Sequence, residues 1–558
     1  MANLDIDGVL KSYGLASDQM MTWYSQLQQT YNLVLPNKSK FLNKDRLPGQ
    51  PYTQHVYDWT AVTGSQKYAS NILQNLMPNG QHWAKFKPGN ALLKKGEEPS
   101  QEIKETFQYY EDTLFSLLDN SNFYLAAHQS MCEMSISTGI LLIQEGDTRE
   151  KPFSFVSVPL HEVVLSGNTG TGEVNDVYRK FKVPGKDVLT MWPGAQLSEA
   201  TVQNISLNPD LQIELLEGTI YYADMPADKQ YCYFVIALDT KDLILEEFRS
   251  YSPWIIFRSN VYSGELLGRG VMLDMLSAIR TLNRLAEDEL RLNTFLSKPI
   301  FLSKTGNTVN PYTARIEPGS IIPYQSEPGS NESPISQLTI QGNLQYSQLN
   351  RQEIKAELIS ALGINPVADP NSPRKTATEV SLLDNQWKRE NQELAGRLQQ
   401  ELAMSVLQKC FGICQKLGFW KALKIDHHHI KVEFDSPITD YQSTIDVQKV
   451  VSYAEMTAQI FGPQGAETAL NYGLDSTKLP TWMANKLHLS PDIVRDDLSK
   501  HAMMTQASQQ ISAEQTQKGL PDESESELAA TRTPISGASG GGTAGVQGGA
   551  ASGMGDGS

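Results

Sequence analysis

The spacing of hydrophobic positions changes several times along the chain, and each change predicts a different kind of element. From Thr60 to Met77, the residues Ala61, Tyr68, Ile72, Leu73 and Leu76 recur at roughly helical spacing until Pro78-Asn79-Gly80 stops the run. A second helical run, Glu102 to Leu118, ends near Asp119-Asn120-Ser121. The first 140 residues or so therefore read as helices. From about Gly139 to Phe257 the pattern turns to short apolar runs: Ile140 to Ile143, Phe153 to Val158, Val177 to Val183, Thr219 to Tyr222 and Tyr231 to Leu238. Gly, Asn and Asp punctuate them, which predicts strands and an α+β block.

A long helix is predicted next, from about Arg269 to Leu296. Met272, Met275, Leu276, Ile279, Leu282, Ala286 and Leu290 share one face, with Arg280, Arg284, Glu287 and Arg291 in a neighbouring stripe. The segment from Pro299 to about Gly342 is rich in Pro, Gly and Ser with short apolar runs, and reads as a small β insertion. Helix returns from Tyr346 to Leu362. The following GINPVADPNSPR, Gly363 to Arg374, holds three prolines, which forbid regular helix and predict a mobile loop. Thr376-Ala377-Thr378-Glu379 then has capping-box spacing, and a helical pattern continues to Leu417. Unbroken, that helix of ~40 residues would be ~60 Å long, more than a small globule buries. The chain is mostly helical again from about Thr439 to His501, and the Gly-rich, acidic end lacks the apolar residues to fold.

Composition changes this picture in two ways. At 558 residues the chain is long enough for several cores. The net charge of -16 disfavours a generic nucleic-acid binder held by phosphate neutralisation, but suits a passage through which a duplex slides without sticking. The N-terminal MANLDIDGVLKSYG lacks the basic flank and apolar core of a secretory signal. No apolar run approaches the ~20 residues of a membrane span, so a soluble protein is expected. Cys132, Cys232, Cys410 and Cys414 are too few and scattered for a disulfide framework, and a reducing compartment is the simplest reading.

Motifs that suggest chemistry do not hold up in context. Gly537-Ala538-Ser539-Gly540-Gly541 has the hydrolase-elbow pattern but sits in the Gly-rich end, not between a strand and a helix. Lys304-Thr305-Gly306 has no β-lactamase SxxK partner in a plausible place upstream and is also a common turn, and Gly167 to Gly172 lacks the Lys-Ser/Thr of a phosphate loop. Cys410 and Cys414, one helical turn apart, with His427, His428 and His429 beyond, are spaced poorly for structural zinc. No cofactor and no catalytic residue is expected. The arginine stripe of 280, 284 and 291 has three open readings: phosphate contact, intersubunit pairing with Glu287, Asp288 and Glu289, or a solvated face.

Three stretches carry a family resemblance: YDWTAVTGSQKYASNILQNLMPNGQHWAKF (Tyr57 to Phe86), SPWIIFRSNVYSGELLGRGVMLDMLSAIRTLNRL (Ser252 to Leu285) and PRKTATEVSLLDNQWKRENQELAGRL (Pro373 to Leu398). In the second, a strand carrying Arg258 leads through Gly264-Glu265 and Gly268-Arg269-Gly270 into the long helix. Together with the order of segments, they resemble the portal, or head-to-tail connector, of T7-like short-tailed bacteriophages. The resemblance implies a mainly helical α+β portal fold. Its parts would be a wing over 1–268, a stem helix over 269–298, a clip over 299–345 and a second stem helix over 346–362. A tunnel loop over 363–375, a long wing helix and following strand over 376–438, a helical crown over 439–505 and a disordered tail over 506–558 would complete it.

It further implies a non-enzymatic ring of twelve at one capsid vertex, assembled in the host cytoplasm, through which double-stranded DNA is packaged and ejected. Terminase, tail adaptor and nozzle proteins, and the major capsid and scaffolding proteins are the implied partners, with no membrane. Asn365, Asp369, Asn371 and Arg374 of the loop are then expected nearest the duplex, and Arg280, Arg284, Glu287 and Arg291 at the channel or between subunits. The alternatives are another virion structural protein, such as a tail adaptor or internal head protein, and an unassigned soluble hydrolase or nucleotide-binding enzyme.

Overall fold

The computed structural model describes residues 4–42, 53–89, 101–146, 148–195, 197–304, 317, 319–324, 335–338, 344–363, 383, 386–420, 430–437, 446–457, 459–460 and 479–486. They fall into two units, 1–446 and 447–558. In the second, residues 447–457 are helical and another helix covers Leu479–Lys486.

The first unit contains a five-stranded antiparallel meander in the order β4-β5-β6-β7-β8. These strands are Val163–Asn168, Glu173–Pro184, Gln212–Tyr221, Tyr231–Ala237 and Asp242–Arg249. Alternation along β7 decides how the sheet is buried. Cys232, Phe234 and Ile236 point to one core, where the first turns of helix α1 (Ile6–Val34) place Val9 and Ala16. Tyr233, Val235 and Ala237 point to the other face, covered by α5 (Gly185–Met191) and Ile205 of α6 (Glu199–Leu207). Covering both faces makes β7 a continuous apolar run instead of an alternating one.

The largest core draws on most of the unit's remaining helices and strands. Helices α2 (Thr60–Leu76), α3 (Gln101–Asp119) and α4 (Phe123–Met134) pack with an antiparallel sheet ordered β3-β2-β9, whose strands are Phe153–Ser157, Thr138–Glu145 and Trp254–Arg258. The helices at 60–76 and 101–119 lie where the periodicity predicts them. Strand β1 (Ala84–Pro88), in a region read as helical, differs from expectation: it pairs with β13 (Ile430–Phe434), matching Ala84 to Phe434 and Phe86 to Val432. A strand whose partner lies so far along the chain leaves little local signal.

The helix expected over 269–296 starts later and is interrupted. Gly270 is extended, α7 covers Val271–Asp274, Met275 breaks the winding, and α8 runs Leu276–Ser297. Beyond it, β10 (Phe301–Lys304) pairs parallel to β11 (Ile321–Tyr324) and antiparallel to β12 (Ile335–Gln337), a small sheet where the β insertion is predicted. Helix α9 (Leu344–Ala361) returns alongside α8.

The ~40-residue helix predicted to Leu417 is segmented in its described part. Residues 386–390 are helical, Asn391 interrupts, α10 covers Gln392–Leu398, a π-wound segment covers Gln399–Met404, and α11 covers Ser405–Lys416. The capping box, His427 to His429, the Gly-rich end and Thr305-Gly306 lie outside the described residues.

Candidate functional site

The connector from β9 into α7 is built on backbone contacts that only glycine allows. Gly270 N–H donates to the Ile136 carbonyl and Met272 N–H to the Ser135 carbonyl, each at 2.9 Å. Gly268 N–H donates to Thr138 Oγ1 at 3.0 Å, and Ser137 Oγ donates to the Gly268 carbonyl at 2.7 Å. A Cβ on Gly268 would sit 2.8 Å from both the Ser137 carbonyl and Arg258 Cβ, and one on Gly270 would run into the Ser135 carbonyl. The Gly268-Arg269-Gly270 motif therefore anchors the root of α8 against the turn between α4 and β2. Arg269 adds an ion pair to Glu265 at 2.7 Å and lies over the Trp23 ring at 4.8 Å.

Arg258 ties three elements together at this root. Its guanidinium donates to the Gly172 carbonyl at 2.9 Å, to the Leu266 carbonyl at 3.0 Å and to Glu401 at 2.8 Å.

Helix α8 buries Ile279, Leu282, Ala286 and Glu289, a 3-4-3 stripe, while Leu290 is 54% exposed. The apolar face read from the sequence thus turns at its far end, and a carboxylate takes the inward position. Glu289 accepts from Ser347 at 3.0 Å and from Arg351 of α9 at 2.8 Å. The other arm of Arg351 reaches Asp58 at 2.8 Å. Asp58 also accepts the Thr60 N–H at 2.8 Å at the start of α2. Burial alone would raise the Asp58 pKa, but the hydrogen bonds from Thr60 and Arg351 outweigh it and hold the carboxyl below its ordinary value. Those same carboxylates raise the Arg351 pKa. Asn283 completes the clamp: its Oδ1 accepts the Tyr57 and Asp58 N–H groups at 2.7 and 3.2 Å, and its Nδ2 donates to the His55 carbonyl at 2.9 Å.

The arginine stripe faces outward. Arg280, Arg284 and Arg291 are exposed. Arg291 pairs with Glu287 at 2.5 Å and Arg284 with Asp288 at 4.0 Å, both one turn along α8. Arg280, Arg284 and Glu287 border a cleft of 440 Å³ with His55, Tyr57 and Asn283. Of the acidic run 287–289, only Glu289 is withdrawn from this surface, as the 3-4-3 spacing of buried positions signals. Asn365, Asp369, Asn371 and Arg374 lie outside the described residues.

On the small sheet, Phe301 is opposite Ile321, and Ile335 is opposite Ser303, two residues on from Phe301. The three apolar residues thus share one face, and they are 37%, 63% and 57% exposed. Leu296 on α8 and Tyr346 and Leu349 on α9 are exposed as well. The helix pair and its terminal sheet thus each carry exposed apolar side chains.

The four cysteines are free and buried. Burial raises the Cys132 pKa to about 11 and those of Cys232 and Cys414 to about 12, so these thiols stay protonated near neutrality. Among the described residues no group of three or more His, Cys, Asp or Glu is placed to hold a metal, and no helix is long and apolar enough to cross a membrane.

The helix pair is clamped by buried polar contacts and carries a small sheet with an exposed apolar face. The chain belongs to the bacteriophage head to tail connecting protein family, whose model matches residues 7–494. Membership gives it a structural role in the phage particle, where head and tail are joined. Solved structures also match; one, a chain of the "virion of native gene transfer agent (GTA) particle", shares 10% identity. That match covers 75% of this chain and 92% of the other, with a TM-score of 0.34. No curated protein matches.

Proposed function

We propose that the protein is the portal of a T7-like short-tailed phage: a ring of twelve at one capsid vertex and a non-enzymatic conduit for genome packaging and ejection. The observation that carries this reading is the exposure of the apolar side chains Leu296, Phe301, Ile321, Ile335, Tyr346 and Leu349 on the helix pair and its sheet. In a closed ring each copy covers its neighbour through repeated heterologous contacts, which buries such side chains without leaving an open end. The pair α8 and α9 is then the stem and the small sheet the clip, offered to terminase during packaging and to tail adaptor and nozzle proteins afterwards. The remaining body faces the major capsid and scaffolding proteins. Assembly takes place in the host cytoplasm.

Residues 363–375 form the tunnel loop in this reading, with Asn365, Asp369, Asn371 and Arg374 nearest the duplex. Twelve copies of a chain of charge -16 make a negative passage that keeps DNA from adhering to its wall. Arg284 and Arg291, paired one turn along their own helix, and the exposed Arg280 remain able to meet a neighbour or phosphate.

Native mass measurement and averaged electron micrographs test the reading. The expected result is a ring with a central hole and the mass of twelve 62.0 kDa chains. Leu349→Glu and Ile335→Asp are expected to shift that mass towards single chains while leaving the circular dichroism unchanged. A wild-type chain that stays monomeric at micromolar concentration overturns it.

A further inference from the structure

Strand β9 is the outer strand of its sheet, so the backbone groups on its free side have no ladder partner there. The helical run 392–416 supplies side chains to both ends of it. Glu401 accepts the Arg258 backbone N–H at 2.8 Å and binds the Arg258 guanidinium at 2.8 Å. At the other end, the Lys409 ammonium donates to the Trp254 carbonyl. Glu401 lies in the π-wound segment 399–404, flanked by α10 and α11. A π turn amounts to one residue more than an α-helix of the same rise, and it persists where tertiary contacts hold it.

The near end of the same run is fastened elsewhere. Trp387 is 4% exposed and donates its Nε1–H to the Gly363 carbonyl, just past α9, which also accepts from Asn71 at 3.3 Å. Gly363 has φ +56, and a Cβ there would lie 3.2 Å from Asn391 Nδ2. Relaxing the π turn to α would rotate everything before Gln399 by about 100° and shift it by about 1.5 Å relative to α11. The Trp387–Gly363 bond survives in one of the two registers only.

We propose that Arg258 and Glu401 are positioning residues that hold this π turn and thereby couple the root of α8 to the Trp387–Gly363 latch at the end of α9. The pair sets the winding register, and the register sets the latch. Because the tunnel loop of the portal reading, 363–375, lies in the chain between Gly363 and residue 386, the coupling would carry stem position to the loop; that use of it rests on that reading.

Hydrogen exchange followed by mass spectrometry on the full chain tests the coupling. Glu401→Gln keeps an acceptor for the Arg258 N–H but removes the charge. Exchange is expected to quicken roughly tenfold in 254–258 and 399–404 and also, remotely, in 359–363 and 386–391. Coupling is reciprocal, so Trp387→Phe, which keeps the ring and loses the N–H, is expected to quicken exchange in 254–258 and 399–404. Strands β7 and β8 serve as the internal control and stay unchanged. Effects confined to the segments next to each substitution overturn the proposal, and the Trp387→Phe arm decides alone if Glu401→Gln does not fold. Ring mass, measured in parallel, is a separate readout: a wild-type chain that forms no ring sinks the portal reading while leaving the coupling result standing.

Discussion

Replacing Arg351 by Met is expected to loosen the α8–α9 pair. Arg351 bridges Asp58 and Glu289, whose side chains are only 4% and 10% exposed, and its own is 34% exposed. Removing one partner from a fully buried ion pair costs ~3–5 kcal/mol, because the remaining charge has neither partner nor water. Here two carboxylates lose the same partner, but the solvent access of Arg351 screens part of the interaction, which brings the expected cost to about 2–3 kcal/mol. Met keeps most of the apolar stem, so the loss is mainly electrostatic. In native-state exchange of the α9 amides that cost reads as about 30- to 150-fold faster opening. The triple variant Asp58→Asn, Glu289→Gln, Arg351→Met is expected to recover at least half of the loss, since no unpaired charge remains. Exchange in α9 within twofold of wild type for Arg351→Met, or a triple variant no slower than the single one, refutes the reasoning.

Two further outcomes follow from the same geometry. Gly270→Ala is expected to destabilise the root of α8 by about 2 kcal/mol or more, because the added methyl meets the Ser135 carbonyl backbone, which cannot rotate away; quickened exchange at 270–275 reads this, and a neutral Ala would refute it. Lys409, whose pKa burial pushes down to about 7, binds a proton more readily in the unfolded chain than in the folded one between pH 7 and its ordinary value. Stability should therefore rise with pH above 7 relative to Lys409→Met, by at most about 2 kcal/mol between pH 7 and 9 and with no difference in slope below pH 6; parallel pH profiles for the two proteins would show that the lysine is solvated.

The parts of this fold that sequence periodicity locates are those whose burial repeats locally. The faces of α2 and α3 and the continuous apolar run of β7 carry their own pattern. What it does not locate is set by distant partners. Strand β1 exists because Phe434 and Val432 lie opposite it. The π turn falls in Gln-Gln-Glu-Leu-Ala-Met, ordinary helix formers, because Glu401 reaches Arg258. Helices α5 and α6, at 7 and 9 residues, are too short to show a period inside a strand-rich region. At the candidate site, Gly268, Gly270 and Arg258 stand out in the sequence through the family resemblance, but their contacts do not. Asp58 and Arg351 carry no local signal, whereas Glu289 could have been assigned inward from the spacing of Ile279, Leu282 and Ala286.

The charged groups withdrawn from water are concentrated where elements meet at defined angles: Arg258 with Glu401, Arg351 with Asp58 and Glu289, Lys38 with Glu133, and Arg179 with Glu217. Apolar burial supplies most of the stability but is non-directional, and a buried ion pair adds little net free energy over apolar side chains of the same volume. What it adds is an orientation, since the pair is satisfied in one geometry and costly in all others. Helix α8 makes the value of that orientation concrete. Its 22 residues span about 33 Å, so a tilt of about 5° at the root moves the far sheet by about 3 Å. That displacement would separate Phe301, Ile321 and Ile335 from any neighbour packed on them in the proposed ring. A helix carrying an interface at its tip therefore needs direction at its base more than it needs additional stability, and the Gly268–Gly270 anchor, the Asn283 clamp and the Arg351 bridge all act on the orientation of α8.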